Sequence, residues 1–245
     1  MIITSLENPR IKKYIRLKDK KYRDEFNEFI VEGEHLVKEA YKAGLVKEII
    51  LEIDDFCSYD CPKVLVTKEI IKKISTLDCP VSILALCQKK KMDSSYCNRL
   101  LLLDKIQDPG NLGTIIRSSK AFDVDTIVLG DNSVDLYNPK VVRSTQGMLF
   151  HMNIISKNLE EFIPLLKKEN ILIYGTSVDG GKVVSSLTKE EKEKYALVMG
   201  NEGNGVSKEV LDLCDKYLYI PMNEEVESLN VAIATSILLY ELNCK

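Results

Sequence analysis

From Leu100 onward the chain alternates short apolar runs with stretches of helical period: "LLLLD", "TIVLG", "FHMNII", "ILIYGTS", "YALVMG" and "YLYIP". Runs this continuous suit strands buried on both faces, and the helical stretches between them supply the crossovers that parallel strands need. The pattern therefore predicts an α/β domain over residues 98–245, built on a mostly parallel sheet with helices on both faces. In such sheets ligands bind beyond the carboxyl ends of the strands, so the loops that follow the apolar runs are where chemistry is expected.

The front of the chain reads as a second, smaller α/β domain over residues 1–92. A basic helix after Asn8-Pro9 is followed by "EFIVEG", a helix "EHLVKEAYKAG" ended by Gly44, strands "VKEIILEI" and "KVLV", a helix "KEIIKKIS" and a strand "VSILALC". The segment "QKKKMDSSYCN" (88–98) joins a charge run to polar residues without apolar period and reads as a linker. The final stretch, "SLNVAIATSILLYEL", is apolar nearly all round, with a helix expected from Ser228. It is too short to span a membrane, so it is either sandwiched within the fold or buried against a second subunit, the option favoured here.

The net charge of −3 argues against a protein that coats nucleic acid, but the charge is uneven. Arg10, Lys12, Lys13, Arg16, Lys18, Lys20, Lys21 and Arg23 face the single acid Asp19 over one helical stretch. Such a stripe suits a phosphate backbone, and a solvated surface helix accounts for it equally well. Tyr14, Tyr22, Phe26 and Phe29 interleave with it and suit either base stacking or the core. Seven scattered cysteines without a CxxC pair, and only two histidines, fit no metal-ligand pattern and read as reduced thiols. No apolar run has signal-peptide or membrane-span length, so a cytoplasmic protein is expected.

Three loops at predicted strand ends carry the candidate chemistry. In "DPGNLGTIIRSSKAF" (108–122) Pro109 and Gly110 make a turn, Asn111 is a good N-cap and Arg117 projects from the helix. "MGNEGNGVS" (199–207) lacks both the GxGxxG spacing of a dinucleotide fold and the Gly-Lys-Ser/Thr of a phosphate loop. That removes a nucleotide-dependent oxidoreductase and leaves a turn with bare backbone groups suited to the edge of a heterocycle, beside one negative charge at Glu202. In "IPMNEEVESLN" (220–230) Pro221 ends a strand and Ser228 is expected to cap the last helix.

Taken together and in this order, Asn111 with Arg117, "GNEGNGVS", and "IPM" with "SLNVAIA" resemble the three motifs of the SpoU/TrmH family of RNA 2'-O-ribose methyltransferases over about residues 100–245. The front resembles the L30e-like substrate-binding domain joined to many members. The resemblance implies a deep trefoil knot, formed where the chain from about Tyr195 tucks through an earlier loop; unthreaded connections would otherwise be the rule. It implies S-adenosyl-L-methionine in that knot, held by Thr176, Gly200, Asn201, Ile220, Met222, Ser228 and Leu229.

The resemblance gives Arg117 the central catalytic role, with Asn111, Glu202, Ser228 and Asn230 arranging it and the RNA. A guanidinium stays protonated, which favours Arg117 as a holder of phosphate and a stabiliser of the developing alkoxide; a proton-accepting role stays open. RNA contacts are expected from Arg10, Lys12, Lys13, Arg16, Lys20 and Arg23. A homodimer through the C-terminal domain is implied, with ribosomal RNA favoured over transfer RNA. A non-catalytic RNA-binding or assembly factor is the alternative.

Overall fold

The computed structural model describes residues 1–91, 93–178 and 180–243; Met92, where the front domain was expected to end, and Cys244 lie outside them. In chain order the elements are β1 (Ile2–Ile3), α1 (Pro9–Arg16), α2 (Lys20–Phe26), β2 (Glu28–Glu32), α3 (Glu34–Lys42), β3 (Val46–Glu52), β4 (Lys63–Val66), α4 (Lys68–Ile74) and β5 (Ile83–Gln88). There follow β6 (Arg99–Leu103), α5 (Pro109–Ala121), β7 (Thr126–Leu129), α6 (Pro139–Ser144), β8 (Asn153–Ser156), α7 (Leu159–Lys168) and β9 (Leu172–Thr176). The last four are β10 (Tyr195–Met199), α8 (Lys208–Leu211), β11 (Lys216–Leu218) and α9 (Val231–Asn243). The chain forms two compact units, one of Met1–Lys91 with Asp135–His151 and one of Met92–Val134 with Met152–Lys245. The stretch Asp135–His151, expected in the second domain, thus clusters with the first.

The first unit is built on a mixed sheet of order β1-β4-β3-β5-β2, in which β5 runs antiparallel to both neighbours. Ile11, Tyr14 and Leu17 pack with Ile70, Ile71 and Ile74 of α4 and with Ile50, Val64 and Leu84 of the sheet. The single basic helix expected from sequence is two helices. The guanidinium of Arg23 is the reason: its Nη1 donates to the carbonyls of Leu17 at 2.8 Å and Lys18 at 2.5 Å, so the carbonyls freed at the end of α1 are satisfied and the chain turns there. Asp135 neutralises Arg23 at 2.6 Å. Arg23 is 3 % exposed, and this corrects its placing among surface cations.

The second unit carries the expected parallel sheet, of order β11-β9-β10-β6-β7-β8. Leu100, Leu102, Val128, Ala196 and Val198 form one core cluster with Phe162, Ile163 and Leu166 of α7. The chain runs from β6 to β7 and β8 on one side, then returns to the other side of β6. The strand order therefore reverses between β6 and β10, and a crevice is expected outside their carboxyl ends. α9 buries Val231, Ala232, Thr235, Leu238, Leu239 and Leu242 and leaves Ile233, Ile237 and Tyr240 exposed at helical spacing. Its N-terminal amides, those of Ala232 and Ile233, are taken by the Asn230 side chain at 2.9 and 3.3 Å, so Asn230 and not Ser228 is the capping residue. No helix among the described residues is long and apolar enough to cross a membrane.

Candidate active site

The loop after β6 and the turn after β10 meet at this reversal point. Asp104, 4 % exposed at the end of β6, accepts the Ser207 amide at 2.7 Å, and its own amide donates to the Met199 carbonyl at 2.9 Å. The Asn201 side chain donates to the Lys105 carbonyl at 2.9 Å. The turn itself is closed by reciprocal backbone bonds between Asn201 and Gly205 of 2.8 and 2.9 Å. Gly205 has φ +68°, and a Cβ on Gly200 would lie 2.0 Å from the Gly205 carbonyl carbon and the Val206 nitrogen. Glycine is thus required at 200 by close approach and at 205 by backbone conformation.

Glu202 ties this turn to α5. Its two oxygens accept the backbone amides of Gln107 at 3.3 Å and Asp108 at 3.1 Å, and the Asn111 side-chain amide at 3.1 Å. Burial works against its charge, but the Asn111 amide and these backbone donors prevail and hold the carboxyl below its ordinary range. With its Nδ2 given to Glu202, Asn111 presents Oδ1 to the Asn230 amide at 3.0 Å. Asn230 in turn has its Oδ1 on the first amides of α9. The three loops are therefore joined by one relay, Glu202 to Asn111 to Asn230, in which each carboxamide is oriented by its neighbour. Asp108, not Asn111, caps α5, accepting the Asn111 amide at 2.8 Å.

Beside this relay lies a cavity of about 480 Å³. Thr176, Gly200 and Asn201 line it from the ends of β9 and β10, and Ile220, Met222, Ser228 and Leu229 line it from the loop before α9. Thr176 is turned by its own hydroxyl, which donates to the Val198 carbonyl at 3.1 Å. Sequence reading missed Tyr219, Leu238 and Glu227 on the wall; Glu227 lies one residue before "SLN" and was legible as the charge nearest that motif. Arg117 is an exposed side chain on α5 and does not line the cavity. The cavity suits a small amphipathic molecule with a heterocycle, since apolar side chains and exposed main-chain groups form its wall and, among the described residues, no Lys or Arg does.

The six proposed RNA-contacting cations fare differently from one another. Arg10 pairs with Glu48, Lys12 with Glu7 at 2.5 Å, Lys13 with Glu28 at 2.6 Å and Lys20 with Asp24 at 2.5 Å. Arg23 is buried, and Arg16 lies exposed over the Tyr22 ring at 5.4 Å.

An all-parallel sheet with a glycine-pinned cavity at its reversal point, attached to a second α/β unit, defines a cofactor-binding α/β protein of two parts. The chain belongs to the SpoU rRNA methylase family, whose model matches residues 98–240. Residues 8–85 match the MRM3-like substrate binding domain. The chain is 37 % identical over 245 residues to RlmP of Bacillus subtilis (strain 168), a 23S rRNA (guanosine(2553)-2'-O)-methyltransferase, covering 98 % of each. Its fold matches an AdoMet-bound rRNA methyltransferase from Sinorhizobium meliloti with a TM-score of 0.86 at 28 % identity, covering 99 % of this chain and 97 % of that one. A crystallised RNA 2'-O ribose methyltransferase matches with a TM-score of 0.84 at 26 % identity, covering 99 % and 98 %.

Proposed function

We propose that the protein transfers a methyl group from S-adenosyl-L-methionine to a ribose 2'-hydroxyl of RNA, with ribosomal RNA as the substrate. The observation that carries this reading is the relay from Glu202 through Asn111 to Asn230 beside a cavity whose floor at Gly200 admits no side chain. The full-length likeness to a 23S rRNA enzyme favours ribosomal over transfer RNA.

The cavity fits the cofactor: Thr176, Gly200, Asn201, Ile220, Met222, Ser228 and Leu229 would hold it, the main chain meeting the adenine edge and the apolar side chains its faces. When bound, the sulfonium supplies an activated methyl group and its own leaving group. What remains for the protein is alignment and deprotonation of the hydroxyl. Arg117 is an exposed cation of α5, and its permanent charge suits it to hold an RNA phosphate and stabilise the alkoxide as it forms. Asn111 and Asn230 fix the N-terminal ends of α5 and α9, and Glu202 fixes Asn111, so the three act as positioning residues.

Three further features belong to the same reading. The turn after β10 is drawn against the loop after β6 by Asn201 and Ser207, which supports a trefoil knot in the chain from about Tyr195. Ile233, Ile237 and Tyr240 form an exposed apolar row on α9, which supports a homodimer through the second unit. The first unit serves as the RNA-binding part and the cytoplasm as the place of action.

The test is transfer of labelled methyl to unmodified transcripts of large-subunit ribosomal RNA and, separately, of transfer RNA. Ribosomal label, with Arg117→Ala reducing transfer at least 100-fold while cofactor affinity changes less than about twofold, is expected. Label confined to transfer RNA would overturn the substrate, and wild-type transfer by Arg117→Ala would overturn the role of that residue.

A further inference from the structure

The cations that sequence marks for RNA in the first unit are mostly spent inside it. A Lys or Arg already matched by a carboxylate brings no net charge to a phosphate backbone, whereas affinity for RNA grows with the counterions that net positive charge displaces. Among the described residues of α1, α4 and the loop between α1 and α2, the cations without a carboxylate partner are Arg16, Lys18, Lys68, Lys72 and Lys73; Lys21 of α2 is a sixth. We propose that the RNA backbone docks on this unpaired set, across the neighbouring solvent faces of α1 and α4, and that Arg10, Lys12, Lys13, Lys20 and Arg23 of the basic stripe take no part. The proposal rests on the reading of the protein as an RNA methyltransferase.

The two helices share one core through Ile11, Tyr14, Ile70, Ile71 and Ile74, and Lys18 Nζ donates to the carbonyl of Ser75, the residue that ends α4, at 2.8 Å. Arg16 and Lys21 lie over the Tyr22 ring at 5.4 and 5.7 Å, which places a half-buried aromatic among cations. The exposed acids on the same elements are Asp19, Glu69 and, on α2, Asp24 and Glu25, of which Asp24 is matched by Lys20 and Lys89. Helix electrostatics does not account for the set: Lys72 and Lys73 in the last turn of α4 are favoured by the helix dipole, but Lys68 sits at the first position, where a cation is disfavoured.

The test measures RNA affinity against salt for the full chain and unmodified large-subunit transcripts. The triple variant Lys68→Ala, Lys72→Ala, Lys73→Ala is expected to lower the slope of log K on log salt by about two, at roughly 0.7 per lost single-strand contact. Its unfolding and its affinity for S-adenosylhomocysteine should match wild type. Removing a whole pair, Lys12→Ala with Glu7→Ala, should change RNA affinity less than about twofold, as expected for a cation that carries its own counter-charge. An unchanged slope in the triple variant, with wild type methylating the RNA, overturns this docking face alone. Failure of wild type to bind or methylate any RNA overturns the parent reading and this proposal with it.

A second, independent observation concerns the cavity. Among the described residues, its charged lining residues are Glu202 and Glu227. Glu202 is occupied by Gln107, Asp108 and Asn111, whereas Glu227 has no hydrogen-bond or ion-pair partner among the described residues. The cofactor carries one net positive charge and its demethylated product carries none. Given the cofactor reading above, we infer that Glu227 is the counter-charge by which the cavity prefers cofactor to product, which lessens product inhibition.

Calorimetric titration of both ligands decides this. Glu227→Gln should lose about fivefold in the ratio of cofactor to product affinity, the scale of one screened charge several ångströms away, and keep its product affinity. Glu225→Gln, on the same loop but off the cavity wall, should keep the wild-type ratio. An unchanged ratio in Glu227→Gln, or equal loss for both ligands, overturns the inference. A wild type that binds neither ligand overturns the cofactor reading as well.

Discussion

Both units have an apolar core, but they differ in the charged side chains they bury beside it. In the first, Glu28, Glu32, Glu48 and Arg23 are all below 9 % exposed, and strands β2 and β3 draw Lys13, Lys47 and Arg10 onto buried carboxylates. In the second, the sheet interior is apolar, and the buried carboxylate Asp104 stands at the end of β6, where the turn from β10 arrives. Charge in the first unit is part of the scaffold, and charge in the second collects at the strand ends where ligands bind. A basic run in sequence is therefore a poor guide to a binding face wherever buried acids lie opposite it.

The largest expected effect breaks the second unit at its turn. Gly200→Ala would drive a Cβ into the backbone of Gly205 and Val206 at 2.0 Å, and backbone cannot step aside as a side chain can. A loss of about 4 kcal/mol or more in urea unfolding is expected, together with loss of cofactor binding by calorimetry. Gly203→Ala sharpens the point, since its Cβ would meet only the Asn201 Oδ1 at an ordinary 3.6 Å. It should cost no more than about 1 kcal/mol. Equal effects from the two would refute the close-approach argument.

The middle effect breaks the first unit at its buried charge. Glu48 is 5 % exposed and accepts from Arg10 and from the Tyr14 hydroxyl, the latter at 2.5 Å. Burial, with the Glu48 acceptor, pushes the Tyr14 phenol well above its ordinary range, so it stays a donor at any working pH. Glu48→Ala leaves that donor and the Arg10 charge uncompensated and should cost about 3 kcal/mol. Glu48→Gln keeps an acceptor for Tyr14 and should recover part of the loss. Cofactor affinity should not move in either variant, and a parallel fall in cofactor binding would contradict the division of labour between the units.

The strands of the second unit were legible because burial on both faces leaves long apolar runs. The relay residues Asn111, Glu202 and Asn230 were legible as members of motifs, but their mutual bonds span 91 and 119 residues of sequence and no local pattern encodes them. Capping was misread twice for one reason. "DPGN" and "SLN" each offer two residues able to cap, and the loop geometry chose Asp108 and Asn230. The break between α1 and α2 carries no Pro or Gly and is set by Arg23, which also reaches Asp135 across 112 residues. That same contact lies within the unit that takes in Asp135–His151, a stretch whose Pro139 helix looks locally like any other crossover.

The smallest expected effect concerns the pH dependence of this buried charge. Burial raises the Glu28 carboxyl, but the ammonium groups of Lys13 and Lys47 outweigh it and hold the group below its ordinary value of 4.5. A carboxylate depressed on folding stabilises the native state above its unfolded pKa, and that stability is lost as pH falls through the folded value. Glu28→Gln removes the charge at every pH, so its deficit against wild type should be about 1–2 kcal/mol near neutrality. The deficit should shrink progressively below pH 4.5, as wild type must bind a proton at the same site on remaining folded. Urea unfolding of both chains at pH 7 and again in mild acid measures the difference. A gap that widens on acidification would mean that desolvation of Glu28 prevails over its two lysines, and that the first unit tolerates its buried charge rather than being stabilised by it.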